Sequence, residues 1–302
     1  MSDRHVIIGA GPVGRATATA LEARGAAVIL ASRSGATGTT AVDATDADAL
    51  ARLADGAVAL YNCVNPPAYD KWPQLWPPVA RALLDAAERS STVLVTAANL
   101  YPYGPVPDGL MREGMPDSAP GTKARVRAKM TADAFAAHRA GLIRAVEVRG
   151  SDYMGAGPGD YAHVPRVIAK ALRGKTVGVL GSTDQPHTWT DVQDMGLALA
   201  AVATEESAWG RVWHAPSNPP RTQAEAVNDV LASVGAKPVT VKAMPNALLT
   251  IAAPFVPILR ELRETLYQFT SPYVMDSSAI TAAFGLAPAP WEEVCRRTAR
   301  YT

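Results

Sequence analysis

Nine residues, Val6-Ile7-Ile8-Gly9-Ala10-Gly11-Pro12-Val13-Gly14, constrain this chain more than any other stretch. An apolar run ends in Gly-x-Gly-x-x-Gly and passes directly into a helical pattern, Arg15 to Arg24, after which a second strand is predicted at Ala27 to Ala31. In such a unit the first glycine permits the tight turn, the second lets the backbone approach a pyrophosphate, and the third lets helix pack on strand. The helix N-terminus then meets the diphosphate with unpaired N–H groups and the positive end of its dipole. Gly9, Gly11, Pro12, Val13 and Gly14 are therefore the expected cradle of a dinucleotide. A bare glycine turn would carry the same spelling, but not the strand before it and the helix after it.

Strands and helices continue to alternate. Ala41 to Asp46 reads as a short strand running into a helix capped by Thr45 or Asp46. Strands are predicted at Ala57 to Asn62, Val93 to Ala97 and Ile143 to Arg149, with helices at Pro77 to Arg89 and Lys123 to Ala140. This order argues for an α/β fold, a Rossmann-type doubly wound parallel sheet covered on both faces. Residues 1–150 form the expected dinucleotide-binding domain, rejoined by about 176–204, and 151–302 mostly a smaller substrate-binding lid. Within the lid, helices are predicted at His163 to Leu172 and Asp191 to Thr204. Thr222-Gln223-Ala224-Glu225 is a capping box. Strands are expected at Thr176 to Leu180 and Pro238 to Lys242, and the tail from Asn246 is mostly helical.

Which nicotinamide cofactor fits is read at the end of the second strand, where an acid accepting from the ribose 2′-hydroxyl selects NAD. Here the residues are Ser32 and Arg33, a hydroxyl and a guanidinium suited to a 2′-phosphate. NADP(H) is the expected cofactor over NAD(H), with Asp43 and Asn62 as further contacts. The alternative for Arg33 is a solvated loop cation, and for Asp43 a loop or capping acid.

The chain of 302 residues is 48% hydrophobic and 19% charged with a net charge of +1, enough apolar material for a substantial core. Near-neutrality gives no case for nucleic acid or an anionic membrane as partner. The longest apolar stretch, Ala243 to Leu259, is broken by prolines and is not expected to span a bilayer. The amino terminus enters a strand at once, so a signal peptide is not expected and the location is read as cytoplasmic. Cys63 and Cys295 read as free thiols, Cys63 as a small buried hydrophobe rather than a reactive group. His163 and His187 have no metal-ligand spacing, so no metal is assigned.

Several landmarks in order resemble the extended short-chain dehydrogenase/reductase group, the NAD(P)-dependent epimerase/dehydratase family. They are the glycine loop, the Asp43 loop, the strand ending at Asn62, Val93 to Gly104, Val148-Arg149-Gly150-Ser151-Asp152-Tyr153-Met154-Gly155-Ala156-Gly157-Pro158, Thr188 to Asp194 and Phe284 to Pro288. The resemblance covers nearly the whole chain. It implies a nicotinamide-dependent enzyme on a small-molecule substrate, and brings in a homodimer as an assembly members form; the residues themselves give no oligomeric state.

The chain departs from that pattern where the chemistry sits. Members carry a serine shortly before a Tyr-Gly pair, then Tyr-x-x-x-Lys on a helix. Aligning Tyr103-Gly104 with that pair puts Asn99 at the serine, and Lys123 and Arg127 at the tyrosine and lysine. No tyrosine occurs from Pro105 to Glu147. Asn99 can still hydrogen-bond a substrate oxygen. Arg127 can still reach ribose hydroxyls, and Lys123, with a cation one turn away, is placed to give up a proton. The competing reading of Lys123 is a surface lysine on a basic face with Arg125, Arg127 and Lys129. Tyr101 is the alternative proton donor. Tyr69, Tyr103 and Tyr153, from loops at the same sheet edge, are candidate substrate contacts, with pocket walls the simpler account. Trp72 and Trp76 are more simply core.

The expected activity is thus an NADP-dependent oxidoreduction of a small carbonyl, alcohol or sugar-like substrate. Two rivals stand beside it: a non-catalytic NADP(H) redox sensor, and an epimerase or dehydratase that oxidises its substrate transiently.

Overall fold

A computed structural model describes residues 3–66, 68–158, 162–244 and 264–301. Pro67, Gly159 of the glycine-rich loop, the helical tail expected from Asn246 to residue 263, and most of the apolar stretch to Leu259 lie outside the described residues. Two compact units result. Unit 1 comprises Met1–Pro102, Pro116–Gly150 and Met195–Ala215; unit 2 comprises Tyr103–Met115, Ser151–Asp194 and Pro216–Thr302.

Unit 1 holds strands β1 (Arg4–Ile8), β2 (Ala27–Ser32), β3 (Thr40–Ala41), β4 (Ala59–Asn62) and β5 (Val93–Asn99), together with helices α1 (Pro12–Glu22), α2 (Ala47–Ala54) and α3 (Trp72–Ser90). In unit 2, β6 (Leu110–Met111) follows. The chain then returns to unit 1 with α4 (Thr122–Arg139) and β7 (Arg144–Gly150), and leaves again with β8 (Asp152–Met154), α5 (Pro165–Leu172), β9 (Val177–Val179) and β10 (Trp189–Asp191). Helix α6 (Val192–Val202), which starts in unit 2 and passes into unit 1 at Met195, and β11 (Val212–His214) complete unit 1. Unit 2 ends with α7 (Gln223–Ala232), β12 (Val241–Ala243), α8 (Tyr267–Thr270), β13 (Val274–Met275), α9 (Ser278–Phe284) and α10 (Trp291–Arg300).

The main sheet has seven strands in the order β11-β7-β5-β4-β1-β2-β3, every pairing parallel. Central β1 is buried from His5 to Ile8, because a parallel strand with helices on its faces has no side for water. Leu50, Ala54, Trp72, Trp76, Leu83 and Leu94 join one apolar cluster that fuses α2 and α3 to the sheet. Helix α3 begins a turn earlier than Pro77. Trp72 and Pro73 open it, and proline is tolerated in a first turn, where its missing N–H has no partner to lose. Asp46, rather than Thr45, caps α2 by accepting from the Ala49 amide at 2.9 Å.

After residue 150 the chain belongs to unit 1 again at Met195–Ala215. Strand β9 pairs in parallel with β12 inside unit 2. Unit 2 has its own core of Val164, Ile168, Trp189, Val227, Val230 and Val294. The Thr222–Glu225 capping box opens α7, as its sequence requires. Among the described residues, no helix is long and apolar enough to cross a membrane.

A buried acid in unit 2 makes stability depend on pH. Burial pushes the Asp194 carboxyl up to about 7, against the pull of the Ala289 amide, which donates to it at 2.9 Å; neighbouring Asp191 adds to the rise. A carboxyl raised in the folded state contributes stability that is fully present below its unfolded value, near 4, and lost as pH rises through about 7. Asp194→Asn keeps an oxygen for the Ala289 amide without the charge. It is expected to stabilise the protein by about 1–2 kcal/mol above pH ~8 and to be close to neutral near pH ~5. Thermal melts of both proteins across that range check this; an Asn variant less stable at both ends sinks it.

Candidate functional site

The glycine loop stands where the direction of strand order reverses, between the carboxyl ends of β1 and β4: Ile8 pairs with Ala31 on one side and Asn62 on the other. That is where ligands bind in open parallel sheets. Behind the loop the packing is tight. A Cβ on Gly14 would lie 1.9 Å from the Gly9 carbonyl oxygen, and one on Gly9, at φ +108°, 2.4 Å from the Cys63 carbonyl oxygen. In front it is open, since a Cβ on Gly11 would meet nothing within 4 Å. Gly11 caps α1, and Pro12 occupies its first turn. Backbone tight on one side and bare on the other, at a helix N-terminus, fits a diphosphate. Cys63 lies beneath this loop; burial pushes its thiol up to about 12, which leaves it protonated, as a small core residue would be.

At the end of β2, Ser32 Oγ is 3.0 Å from Thr39 Oγ1 and the Arg33 side chain is exposed. Asp43 is also exposed. It accepts from the Thr45 amide at 2.9 Å and hydroxyl at 2.8 Å; these bonds, with Arg33 nearby, hold its carboxyl below the usual range. Asn62 is 2% exposed, and its Oδ1 accepts from the Val64 amide at 3.3 Å, shaping the turn out of β4.

Helix α4 resolves the basic cluster of the sequence into two faces. Arg125 and Lys129 are exposed, whereas Lys123 is 2% exposed and Arg127 6%. The surface-lysine reading of Lys123 and Arg127 is therefore corrected: residues spaced by four share a face, and this face is the inner one. Arg127 Nη2 donates to the Ala97 carbonyl at 2.9 Å, and its guanidinium lies 4.6 Å from the Trp76 ring centre, within reach of a cation–π attraction. One turn on, Thr131 donates to Glu147 Oε2 at 2.7 Å. Arg149 Nε holds the other Glu147 oxygen at 2.7 Å and grips Asp117 with two further bonds at 2.7 and 2.9 Å. Asp117 lies on the loop that leads into α4, so this fork fixes the approach to Lys123.

Asn99 ends β5, half-buried, and its Oδ1 accepts from the Tyr101 amide at 3.2 Å, which turns the chain into the short Tyr101–Tyr103 helix. Tyr101 and Tyr69 flank Trp72: Tyr69 stacks on it at 4.8 Å and 17°, and Tyr101 is tilted at 6.1 Å. Trp72 and Trp76 are core, 1% and 0% exposed. Tyr103, buried, and Tyr153, half-buried, belong to unit 2. Unit 1 thus brings together Gly9, Gly11, Gly14 and Asn62 at the ends of β1 and β4, and ties Arg127 two residues before Asn99. Sequence reasoning missed the Glu147–Arg149–Asp117 fork and a cluster at Asp152, His163 and His187. For the fork a signal existed: Glu147 and Arg149 stand two apart in an apolar strand, hence on one face.

Comparison with known proteins agrees with this architecture. The chain is similar along 99% of its length to a dTDP-glucose 4,6-dehydratase from Streptomyces venezuelae with NAD bound, at TM-score 0.76 and 19% identity over 96% of that chain. It is similar over 99% of both chains to RMD from Pseudomonas aeruginosa complexed with NADPH, at TM-score 0.73 and 15% identity. UDP-glucose 4-epimerase from Thermus thermophilus in complex with NAD gives 0.77 and 17%, covering 99% of this chain and 98% of that one. At these identities the likeness establishes the fold. No curated protein sequence matches the chain. Residues 6–214, from the first core residue of β1 to the last of β11, match the family described as NAD dependent epimerase/dehydratase family, and the chain belongs to that family.

Proposed function

We propose that this protein is an NADP-dependent oxidoreductase acting on a small carbonyl, alcohol or sugar-like substrate, with Lys123 in the role that tyrosine fills elsewhere in the family. The observation that carries the reading is the burial of Lys123 on the inner face of α4, at the position where the family pattern has its acid–base group.

The 9–14 loop would hold the diphosphate of NADPH, and Ser32 and Arg33 its 2′-phosphate; the coenzyme would supply the hydride. Asn99 presents its side-chain amide to the reacting oxygen and holds it in place. Lys123 Nζ gives that oxygen its proton as the carbonyl becomes an alcohol, and takes it back in the reverse direction. Arg127, anchored on Ala97 and Trp76, would keep a fixed positive charge beside the ribose. Asp43 and Asn62 would border the nucleotide, and Tyr69 and Tyr101 would be aromatic contacts to substrate. Transient oxidation, as in an epimerase or dehydratase, is the second reading, favoured by the likeness to enzymes of both kinds. Net NADPH consumption on a carbonyl panel separates the two.

The cofactor assignment is tested by calorimetric titration with both coenzymes. Arg33→Ala is expected to weaken NADPH about tenfold or more, the loss of a charge-assisted bond to phosphate, and to leave NADH within about twofold. Equal affinity of the unaltered protein for both coenzymes would count against Ser32 and Arg33 as phosphate ligands.

A further inference from the structure

Helix α4 carries Lys123, and its seat on the sheet is unusual. The residues it turns fully inward are Lys123, Ala124, Arg127 and Thr131, while its larger apolar side chains, Val126, Met130 and Phe135, are only half-buried. Apolar contact is non-directional, so it holds a helix down while leaving its slide and rotation loosely set. Hydrogen bonds tolerate only narrow ranges of distance and angle, and so set both. The register of α4 is therefore fixed by its polar ties to the strands beneath it.

Such ties bracket Lys123, and all lie within unit 1. Ahead of it, both Asp117 oxygens accept from Arg149, at 2.7 and 2.9 Å. One turn after it, Arg127 Nη2 donates to the Ala97 carbonyl at 2.9 Å. Two turns after it, the Thr131 hydroxyl donates to Glu147 at 2.7 Å, and Arg149 Nε donates to the other Glu147 oxygen at 2.7 Å. A single guanidinium, 1% exposed, thus joins the tie ahead of Lys123 to the tie behind it. Arg149 pairs with Ala98 across the sheet, and the next pair along is Gly150 with Asn99. The strand that steadies α4 is the neighbour of the strand that ends in Asn99.

We propose that Asp117, Arg149 and Glu147 are positioning residues for Lys123: they pin α4 to β7 ahead of and behind that lysine, and so set where its Nζ stands relative to Asn99. They act through the lysine rather than on the reacting atoms. The assignment rests on Lys123 as the proton donor of the proposed function. A slip of α4 by about 1 Å would cost the reaction on the order of 10²-fold through lost orientation alone. Asp117 is the member to remove first, because its side chain is 23% exposed and water can replace it on Arg149.

The test compares Asp117→Ala, Glu147→Ala and Glu147→Gln in the full chain. It reads kcat and KM on a carbonyl panel, NADPH affinity by fluorescence, and the Lys123 side-chain resonance in a carbon–proton spectrum of lysine-labelled protein, identified by its loss in Lys123→Met. Asp117→Ala is expected to lower kcat about tenfold or more, to leave KM and NADPH affinity within about twofold, and to move or broaden the Lys123 resonance. Glu147→Gln keeps an oxygen for Arg149 and an amide for the Thr131 hydroxyl, so it is expected to recover most of the turnover that Glu147→Ala loses. Should Glu147→Ala fail to fold, Asp117→Ala decides alone. An unmoved Lys123 resonance in Asp117→Ala overturns the proposal, as does an unchanged kcat, or a kcat that falls only in step with NADPH affinity. Failure of the function reading looks different: the unaltered protein turns over no carbonyl, or Lys123→Met turns over normally, while the Lys123 resonance still reports whether Asp117 sets its place.

Discussion

Lys123→Met is expected to lower kcat/KM for carbonyl reduction by on the order of 10²–10⁴-fold, the usual contribution of a positioned acid–base group, while NADPH binds nearly as before. Methionine matches the buried stem of lysine and removes only the proton-bearing end, so packing around α4 should survive. The contrast that decides the matter is Tyr101→Phe. If Lys123 is the donor, losing the Tyr101 hydroxyl changes substrate affinity more than turnover; if Tyr101 is the donor, the two variants exchange behaviours. Rates unchanged in the methionine variant remove Lys123 from the chemistry.

Gly14→Ala should abolish cofactor binding and cost about 1–3 kcal/mol of stability, as overpacking does in a site that cannot yield. The added methyl would lie 1.9 Å from the Gly9 carbonyl oxygen. That carbonyl cannot drift, because the Gly9 amide donates to Ala31 at 2.9 Å and the Cys63 amide to Ile8 at 2.8 Å, which locks the turn between its neighbours. Helix α1 must back away, carrying its N-terminus out of register with the diphosphate. Gly11→Ala is the matched control. Its methyl meets no protein atom within 4 Å, so melting temperature should hold while NADPH affinity falls. A Gly14→Ala protein that melts normally and binds NADPH would show that the loop is not the cradle.

The nucleotide half could be read from the chain because each of its signals is local. Glycine spacing, a strand before and a helix after, and an apolar run for each buried parallel strand all lie within a few residues of one another. The same locality made the Thr222 capping box readable. What could not be read depends on which face of an element turns inward. The mixed charges of α4 give no apolar stripe, so nothing in its sequence says that Lys123 and Arg127 face the sheet while Arg125 and Lys129 face water. The partners that settle it, the Ala97 carbonyl and Trp76, come from elements tens of residues earlier. Asp152, His163 and His187 likewise meet only through the folding of unit 2, and the separation of these residues hid the cluster. Strand β9 was visible as a strand, but its partner β12 was not, since pairing is a tertiary choice.

The three segments that make unit 2 depart after β5, β7 and β11, which are adjacent in the sheet. Every such departure follows the carboxyl end of a strand, and none interrupts β1, α1 or β2. Changes in the length or side chains of these three excursions therefore leave the glycine-loop unit of β1, α1 and β2 uninterrupted in the chain.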